Sequence, residues 1–502
     1  MNLFSHFRTC FPSDPARTFI EEADGTQLSY SELLERTGRL ANLFLSWGVK
    51  PGDRIAVQVD KSVPALLVYL ASLRAGAVYL PLNPSYTAAE VRYFLADSTP
   101  AAFICRPETE REMRPIAEAL GVPRVETLGT SGDGSLLPDW AAAPALFDEV
   151  ERSDCDLAAI LYTSGTTGQS KGAMLTHANL ASNGMTLREA WRFTADDRLL
   201  HALPIFHTHG LFVATNTILM AGSSMIFLPG FDAAEIIRLL PRATVMMGVP
   251  TFYTRLLARS DLTKELVRHI RLFVSGSAPL SAEAHREFQA RTGHAILERY
   301  GMTETNMNSS NPYEGDRIAG SVGPPLPGVE IRIADPATGR PAPGEIGVIE
   351  IRGPNVFQGY WQMPEKTKAE FRDDGYFISG DLGRFDSRGY LHIVGREKDL
   401  IISGGLNVYP AEVEAVIEAV QGVGECAVIG VPHPDFGEAV LAVVTARPGA
   451  RLDEAGILRA LVDRLARYKQ PKRIVIADEL PRNAMGKIRK KDLREAFETS
   501  FS

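Results

Sequence analysis

The segment LYTSGTTGQSKGAMLTHANL (residues 161–180) runs from an apolar strand-like stretch, through Ser, Thr, Gly and one Lys, into a helix-like stretch. Small residues such as Gly165 let consecutive backbone N–H groups close on anionic oxygens. The hydroxyls of Thr163, Ser164, Thr166 and Thr167 add donors, and Lys171 adds a cation. Such a loop is suited to wrapping phosphates. It is not a Walker loop, because GxxxxGK[ST] cannot be fitted to it. Other patterns match catalytic signatures by letter and fail on context. GVGECA (422–427) spells a dinucleotide fingerprint but follows a helix and opens a strand, the reverse of what pyrophosphate binding needs. GQSKG (168–172) spells a hydrolase elbow, yet TSGTTG separates its Ser170 from the strand that a sharp nucleophile turn requires. His201, His207 and His209 lie in HALPIFHTHG; the HxH pair could offer two imidazoles to a metal, but nothing nearby supplies the remaining ligand and a supporting acid, so they read as structural or substrate-lining histidines. The basic tail GKIRKKDLR (486–494) reads as a solvated face.

The elements that must position such a loop follow from hydrophobic periodicity. RIAVQV (54–59), AAFIC (101–105), LAAILYT (157–163), SMIFL (224–228) and RLFVSG (271–276) are short β-rich runs alternating with helix-like stretches, for example Ser31 to Trp47. The alternation predicts an α/β fold. From about Val329 the texture changes to strands punctuated by Gly and Pro, including the hairpin-like YFISGDLGRFDSRGYLHIVG, which predicts an antiparallel β subdomain. After Gly395 a final block of about 100 residues reads as a small separate α+β domain. The stretch SGDGSLLPDWAAAPA (131–145) reads as a surface loop.

At 502 residues the chain is long enough for several domains, and its 53 Lys and Arg against 61 Asp and Glu argue against nucleic acid or an anionic membrane as the main partner. Four cysteines without a CxxC pair fit a reducing compartment, and the N-terminal residues lack an apolar targeting region. The expectation is a cytoplasmic protein.

YTSGTTGQSKG resembles the phosphate-loop signature of the adenylate-forming superfamily: acyl-CoA synthetases, luciferases and peptide-synthetase adenylation domains. RYGMTET (299–305), YFISGDLG (376–383), GREKDLIISGGLNVYPAEVE (395–414) and PRNAMGKIRK (481–490) follow in that family's order. The resemblance implies a large N-terminal domain over residues 1–397 with α/β layers and a β subdomain, and a small mobile C-terminal domain over 398–502, hinged at Lys398. It implies ATP, Mg²⁺ and coenzyme A as cofactors. It assigns Lys487 to bridging the carboxylate and the α-phosphate, Glu304 to Mg²⁺, and Thr303 to the phosphates. Tyr300 would stack on adenine against Gly276, Ser277 and Ala278, with Glu298 at the same nucleotide site. Asp381 and Arg396 would take the ribose, and Gly404, Gly405 and Leu406 would leave a tunnel for pantetheine after the small domain rotates.

HALPIFHTHGLF, RLFVSGSAPL, HREF and ERYGMTETNMN together resemble the malonyl-CoA synthetases of that superfamily. This implies malonate as substrate, with Arg286 clamping the distal carboxylate and His207 and Ser277 lining the pocket. Methylmalonate or another small acid stays open, as does loading of a carrier protein in trans, although no carrier-domain serine motif follows Lys487. PRNAMGK also resembles sites of lysine acetylation, which makes a lysine acetyltransferase a further expected partner at Lys487.

Overall fold

The apolar runs picked out along the chain become central strands of two large sheets, because a run buried on both faces needs helices packed above and below it. The computed structural model describes residues 1–131, 133–163, 170–335, 344–404, 406–462, 464–483 and 486–501. One sheet has seven strands, in the order Gly359–Tyr360, Lys171–Thr176, Leu157–Thr163, Val78–Pro81, Arg54–Gln58, Ala102–Cys105 and Arg124–Thr127. Its last five strands run parallel, and the two at the Gly359 edge join antiparallel. The second has eight strands, with Arg198–His201, Ser224–Phe227, Val245–Gly248, Leu272–Ser275 and Leu297–Met302 parallel through its middle. The helix Tyr30–Ser46 begins at a capping box between Ser29 and Glu32 and buries Leu33, Leu40, Leu43 and Phe44, the face its periodicity predicts.

The Gly- and Pro-punctuated region is an antiparallel sheet of Glu330–Ala334, Gly347–Arg352, Phe377–Phe385 and Leu391–Arg396. A single 3₁₀ turn, Glu397–Asp399, separates it from a five-stranded C-terminal sheet that starts at Ile401. The apolar side chains from Ile401 onward pack among themselves, in two clusters on the two faces of that sheet. The mixed α/β class, with a large multi-sheet body and a small C-terminal unit, is therefore as expected.

Two local expectations differ. The stretch read as a surface loop contains the helix Leu136–Ala142, pinned by buried Leu136 and Trp140, whose indole Nε1 donates to Arg36 O at 2.9 Å. Two large apolar side chains one helical turn apart outweigh the turn-forming letters around them. The phosphate-loop segment also does not pass straight into a helix. Strand Leu157–Thr163 returns as the antiparallel strand Lys171–Thr176, and only then does helix His177–Ala190 begin, capped by Thr176. Lys171 thus opens a strand, and the helix N-terminus is not adjacent to it.

Candidate active site

The phosphate side is built on the seven-stranded sheet. Thr163 pairs with Lys171 across the base of the loop; Ser164, Gly165, Thr166 and Thr167 lie outside the described residues. Lys171 is buried, its Nζ 3.2 Å from Glu370 Oε1 and 4.2 Å from the centre of the Tyr360 ring. Tyr360 presents one hydroxyl to two carboxylates, Glu370 Oε2 at 2.6 Å and Glu304 Oε1 at 3.1 Å. One hydrogen serves only one of them. Burial would raise the Glu370 pKa, but Lys366, Tyr360 and Lys171 together hold it below its ordinary value. Among the described residues Glu304 has no cation in contact, and burial pushes its pKa up against the weaker pull of Lys171. A buried, under-neutralised carboxylate of this kind suits a hard divalent cation. Among the described residues no cluster of three or more His, Cys, Asp or Glu could hold a metal; Glu304 is the carboxylate that would hold Mg²⁺.

The residues expected to take ribose and adenine lie where two sheets meet. Asp381 and Arg396 are cross-strand partners, with Arg396 Nε 3.1 Å from Asp381 Oδ1. The Tyr300 hydroxyl donates to Asp381 Oδ2 at 2.6 Å. The Asp381 carboxylate raises the Arg396 pKa. Thr303 sits in the turn between strands Leu297–Met302 and Asn306–Ser310. Glu298, expected at the nucleotide site, makes its contacts within the protein. Its buried carboxylate faces His285 Nδ1 at 3.0 Å and accepts from Gly320 N–H at 3.3 Å, so it is engaged within the protein wall.

The third side is cationic. His209 opens a π-helical stretch, His209–Thr215, a distortion often found at functional sites. Gly210 is required there, since a Cβ would come within 2.1 Å of Pro204 O. The His209 Nδ1 lies 3.2 Å from Ser277 Oγ, and Ser277 itself holds a strained φ of +71°. His207 Nδ1 accepts from His209 N–H at 3.3 Å. Burial first, then Lys487 and Arg299, bring the His207 pKa down to about 3, so the imidazole is neutral. His201 is tied into the wall by Gly210 O and Lys61.

Into this space the C-terminal unit inserts the turn that carries Lys487. Arg482 and Ile488 bridge, Asn483 Oδ1 accepts from Lys487 N–H at 3.0 Å, and Gly486 at φ +74° sits over Thr251. Burial lowers the Lys487 pKa to about 8. Arg396 and Arg299 act in the same direction, while Asp381 and Glu304 oppose them. The ammonium therefore lies within electrostatic reach of Asp381, Glu304, Arg396 and Arg299 at once.

Residues 6–361 match the AMP-binding enzyme family, and residues 412–487 match the AMP-binding enzyme C-terminal domain. The chain belongs to the AMP-binding enzymes. Its fold matches ATP-bound MatB from Rhodopseudomonas palustris with 58% identity and a TM-score of 0.98, covering 100% of this chain and 99% of that one. Apo MatB from the same source gives 0.87 at the same identity and coverage. The malonate–CoA ligase of Arabidopsis thaliana is 36% identical over 95% of this chain and 86% of its own length. A feruloyl-CoA synthase from Amycolatopsis is 38% identical over 94% of both.

Against this AMP-binding fold the expected site residues divide. Lys171, Tyr300, Glu304, Asp381, Arg396 and Lys487 converge. Gly276, Ser277 and Ala278 follow directly after strand Leu272–Ser275. Gly404 is exposed at φ +59° with Gly405 outside the described residues, and Ile402 and Leu406 nearby are 52% and 50% exposed. Arg286 is the departure. It lies exposed on helix Ala282–Thr292, where water already solvates a guanidinium and a carboxylate clamp gains little. Three participants were not singled out from the chain: Tyr360, Glu370 and Arg299. The first two carry no motif of their own. Arg299 stood inside RYGMTET, and its signal was a cation directly before the aromatic residue of the motif.

Proposed function

We propose that this protein joins malonate to coenzyme A with ATP, through a malonyl-adenylate, releasing pyrophosphate and then AMP. The carrying observation is Lys487, brought by the C-terminal unit to a point where it senses Glu304, Asp381 and Arg299 together. In the first half-reaction a carboxylate oxygen attacks the α-phosphorus. The new O–P bond replaces the one to pyrophosphate, and negative charge gathers on the α-phosphate. Lys487 and Lys171 supply fixed cations for that charge, each contact at about 4 Å contributing on the order of 4 kcal/mol before desolvation at an effective dielectric of 20. When bound, Mg²⁺ at Glu304 would neutralise phosphate charge. Tyr300, Asp381 and Arg396 hold adenine and ribose.

In the second half-reaction the thiol sulfur attacks the acyl carbon, its proton passes to solvent, and the C–O bond to AMP breaks. Lys487 has no work there. Rotation about Lys398 would withdraw it and bring in the exposed surface of Ile402, Gly404 and Leu406, apolar area that water disfavours. Acetylation of Lys487 would remove the charge the first step needs and so act as an off switch. No described helix is long and apolar enough to cross a membrane. The four cysteines are free, in keeping with a cytoplasmic setting.

Malonate is preferred to an aromatic acid because the third side of the site presents cations and imidazoles, where a ferulate ring would need an apolar slot. AMP release in the presence of CoA, screened over acetate, malonate, methylmalonate, succinate, octanoate and ferulate, tests the reading. The expected order puts malonate first, with methylmalonate next because one methyl discriminates by only about 1–3 kcal/mol. A monocarboxylate in first place would overturn it.

A further inference from the structure

Lys61 follows strand Arg54–Gln58 of the seven-stranded sheet, yet its amine is spent on a residue of the eight-stranded one. Its Nζ lies 3.0 Å from His201 Nδ1, 2.8 Å from His201 O and 4.2 Å from the centre of the Phe227 ring. His201 and Phe227 are cross-strand partners at the ends of their strands, so the two rings and the His201 carbonyl form a cradle. Among the described residues no carboxylate pairs with Lys61, and burial drives its pKa well below the ordinary lysine range. A desolvated amine with no acid beside it is costly to keep, which calls for a reason.

The reason lies one hydrogen bond further on. Burial first, then the Lys61 charge, hold the His201 pKa well below its ordinary value, so the imidazole is neutral, with one N–H and one lone pair. Its Nε2 is 2.9 Å from Gly210 O. A carbonyl oxygen only accepts, so the hydrogen is on Nε2 and the lone pair is on Nδ1, where Lys61 donates. Gly210 follows His209 in the π-helical stretch His209–Thr215, and its carbonyl is held by His201 Nε2–H and by the Thr215 hydroxyl at 3.0 Å. The same turn fixes His207, whose carbonyl accepts from Leu211 N–H at 3.0 Å and whose Nδ1 accepts from His209 N–H.

We propose that Lys61 is a positioning residue for the acid site: through His201 it fixes the Gly210 carbonyl, and with it the placement of His207 and His209 against the acid. Its own sheet carries the base of the phosphate loop, and that of His201 carries the acid side. The contact therefore also sets the separation of the two halves that must bring a carboxylate oxygen in line with the α-phosphorus. The assignment rests on the adenylation reading above, and not on which acid is adenylated.

The test measures pyrophosphate exchange, with KM for acid and for ATP taken separately, on whichever acid the wild-type enzyme uses best. Lys61→Met removes the donor and keeps the aliphatic stem. Its kcat/KM for the acid should fall by about 10²-fold, the loss that a misplacement of about 1 Å brings, while KM for ATP stays within about twofold. Lys61→Arg, which keeps N–H donors, should recover most of that loss. In His201→Gln the amide can donate to Gly210 O without help from Lys61, so in that background Lys61→Met should cost no more than about threefold. A folding defect would instead lower the active fraction in every background and leave both KM values alone. An equal loss in both backgrounds, a loss confined to kcat with the acid KM unchanged, or a Lys61→Met enzyme that matches wild type would overturn the assignment. An acid other than malonate in first place would correct the substrate and leave this comparison standing, whereas wild-type enzyme without exchange on any acid would remove the adenylation reading and the role of Lys61 together.

Discussion

The phosphate side and the acid side of the site solve opposite electrostatic problems. On the phosphate side the cations are matched within the protein: Lys171 and Lys366 both reach Glu370, and the Tyr360 hydroxyl stands between Glu370 and Glu304. On the acid side Arg299 and Lys487 face the neutral imidazole of His207, and among the described residues no carboxylate pairs with Arg299. A matched cluster keeps its shape without ligand and can exchange partners when phosphate arrives. An unmatched one is destabilising until an anion enters, so the missing charge specifies the ligand.

The sharpest break of the contrast is Lys487→Ala. Acyl-adenylate formation should fall at least about 10³-fold, roughly the loss expected for a group that meets transition-state charge, while thioester formation from supplied adenylate is largely retained. Comparable loss in both half-reactions would refute the separation. Lys398→Pro should do the reverse. It should preserve pyrophosphate exchange and reduce thioester yield by about 10² or more, because proline fixes φ near −65° and resists rotation. Equal retention of both activities would move the pivot elsewhere.

A smaller effect comes from pH. The Lys487 pKa is lowered to about 8, so the ammonium is present below that pH and lost above it. The kcat/KM for adenylation should decline as pH rises through about 8, and an alkaline limb still flat at pH 10 would contradict the role. On the matched side, Glu370→Gln frees Lys171 from its partner. The expected change is a few-fold in KM for ATP with the malonate to acetate ratio untouched, since the pair is partly shielded and other groups remain. A shift in that ratio would mean the two sides are coupled. Smallest of all, Arg286→Ala should alter malonate use by no more than about twofold, within the ±0.5 kcal/mol typical of exposed substitutions. A steep, malonate-selective loss would return the clamp to Arg286.

Motif reading carried the fold and the nucleotide site a long way. The strands at Arg54–Gln58, Leu157–Thr163 and Leu272–Ser275, the hairpin of Phe377–Phe385 with Leu391–Arg396, and the separate C-terminal unit are each legible as local patterns of burial and turn chemistry. The basic tail read as a solvated face is in fact laced to acids, with Lys490 2.6 Å from Glu414 and Arg494 paired with Asp399. Helix Leu136–Ala142 is not legible locally because its Trp140 anchors far away in sequence, on helix Tyr30–Ser46.

What the chain determined by itself is chemistry that needs neighbours in sequence: a Gly, Ser and Thr loop beside Lys171, an acid at Glu304 after the aromatic of its motif, and the lysine-bearing turn at 482–488. Contiguity suffices there because backbone groups and short side chains act within one loop. Which arginine meets the substrate was not determined that way. Arg286 and Arg299 are both plausible by residue type, and only packing shows that one is hydrated on a helix surface while the other lies desolvated on Gly276. Likewise Lys171 acquires Glu370 from 199 residues along the chain. Desolvation and charge pairing arise between segments that only the tertiary fold brings together, and those two quantities set how strongly a given charge acts on a ligand.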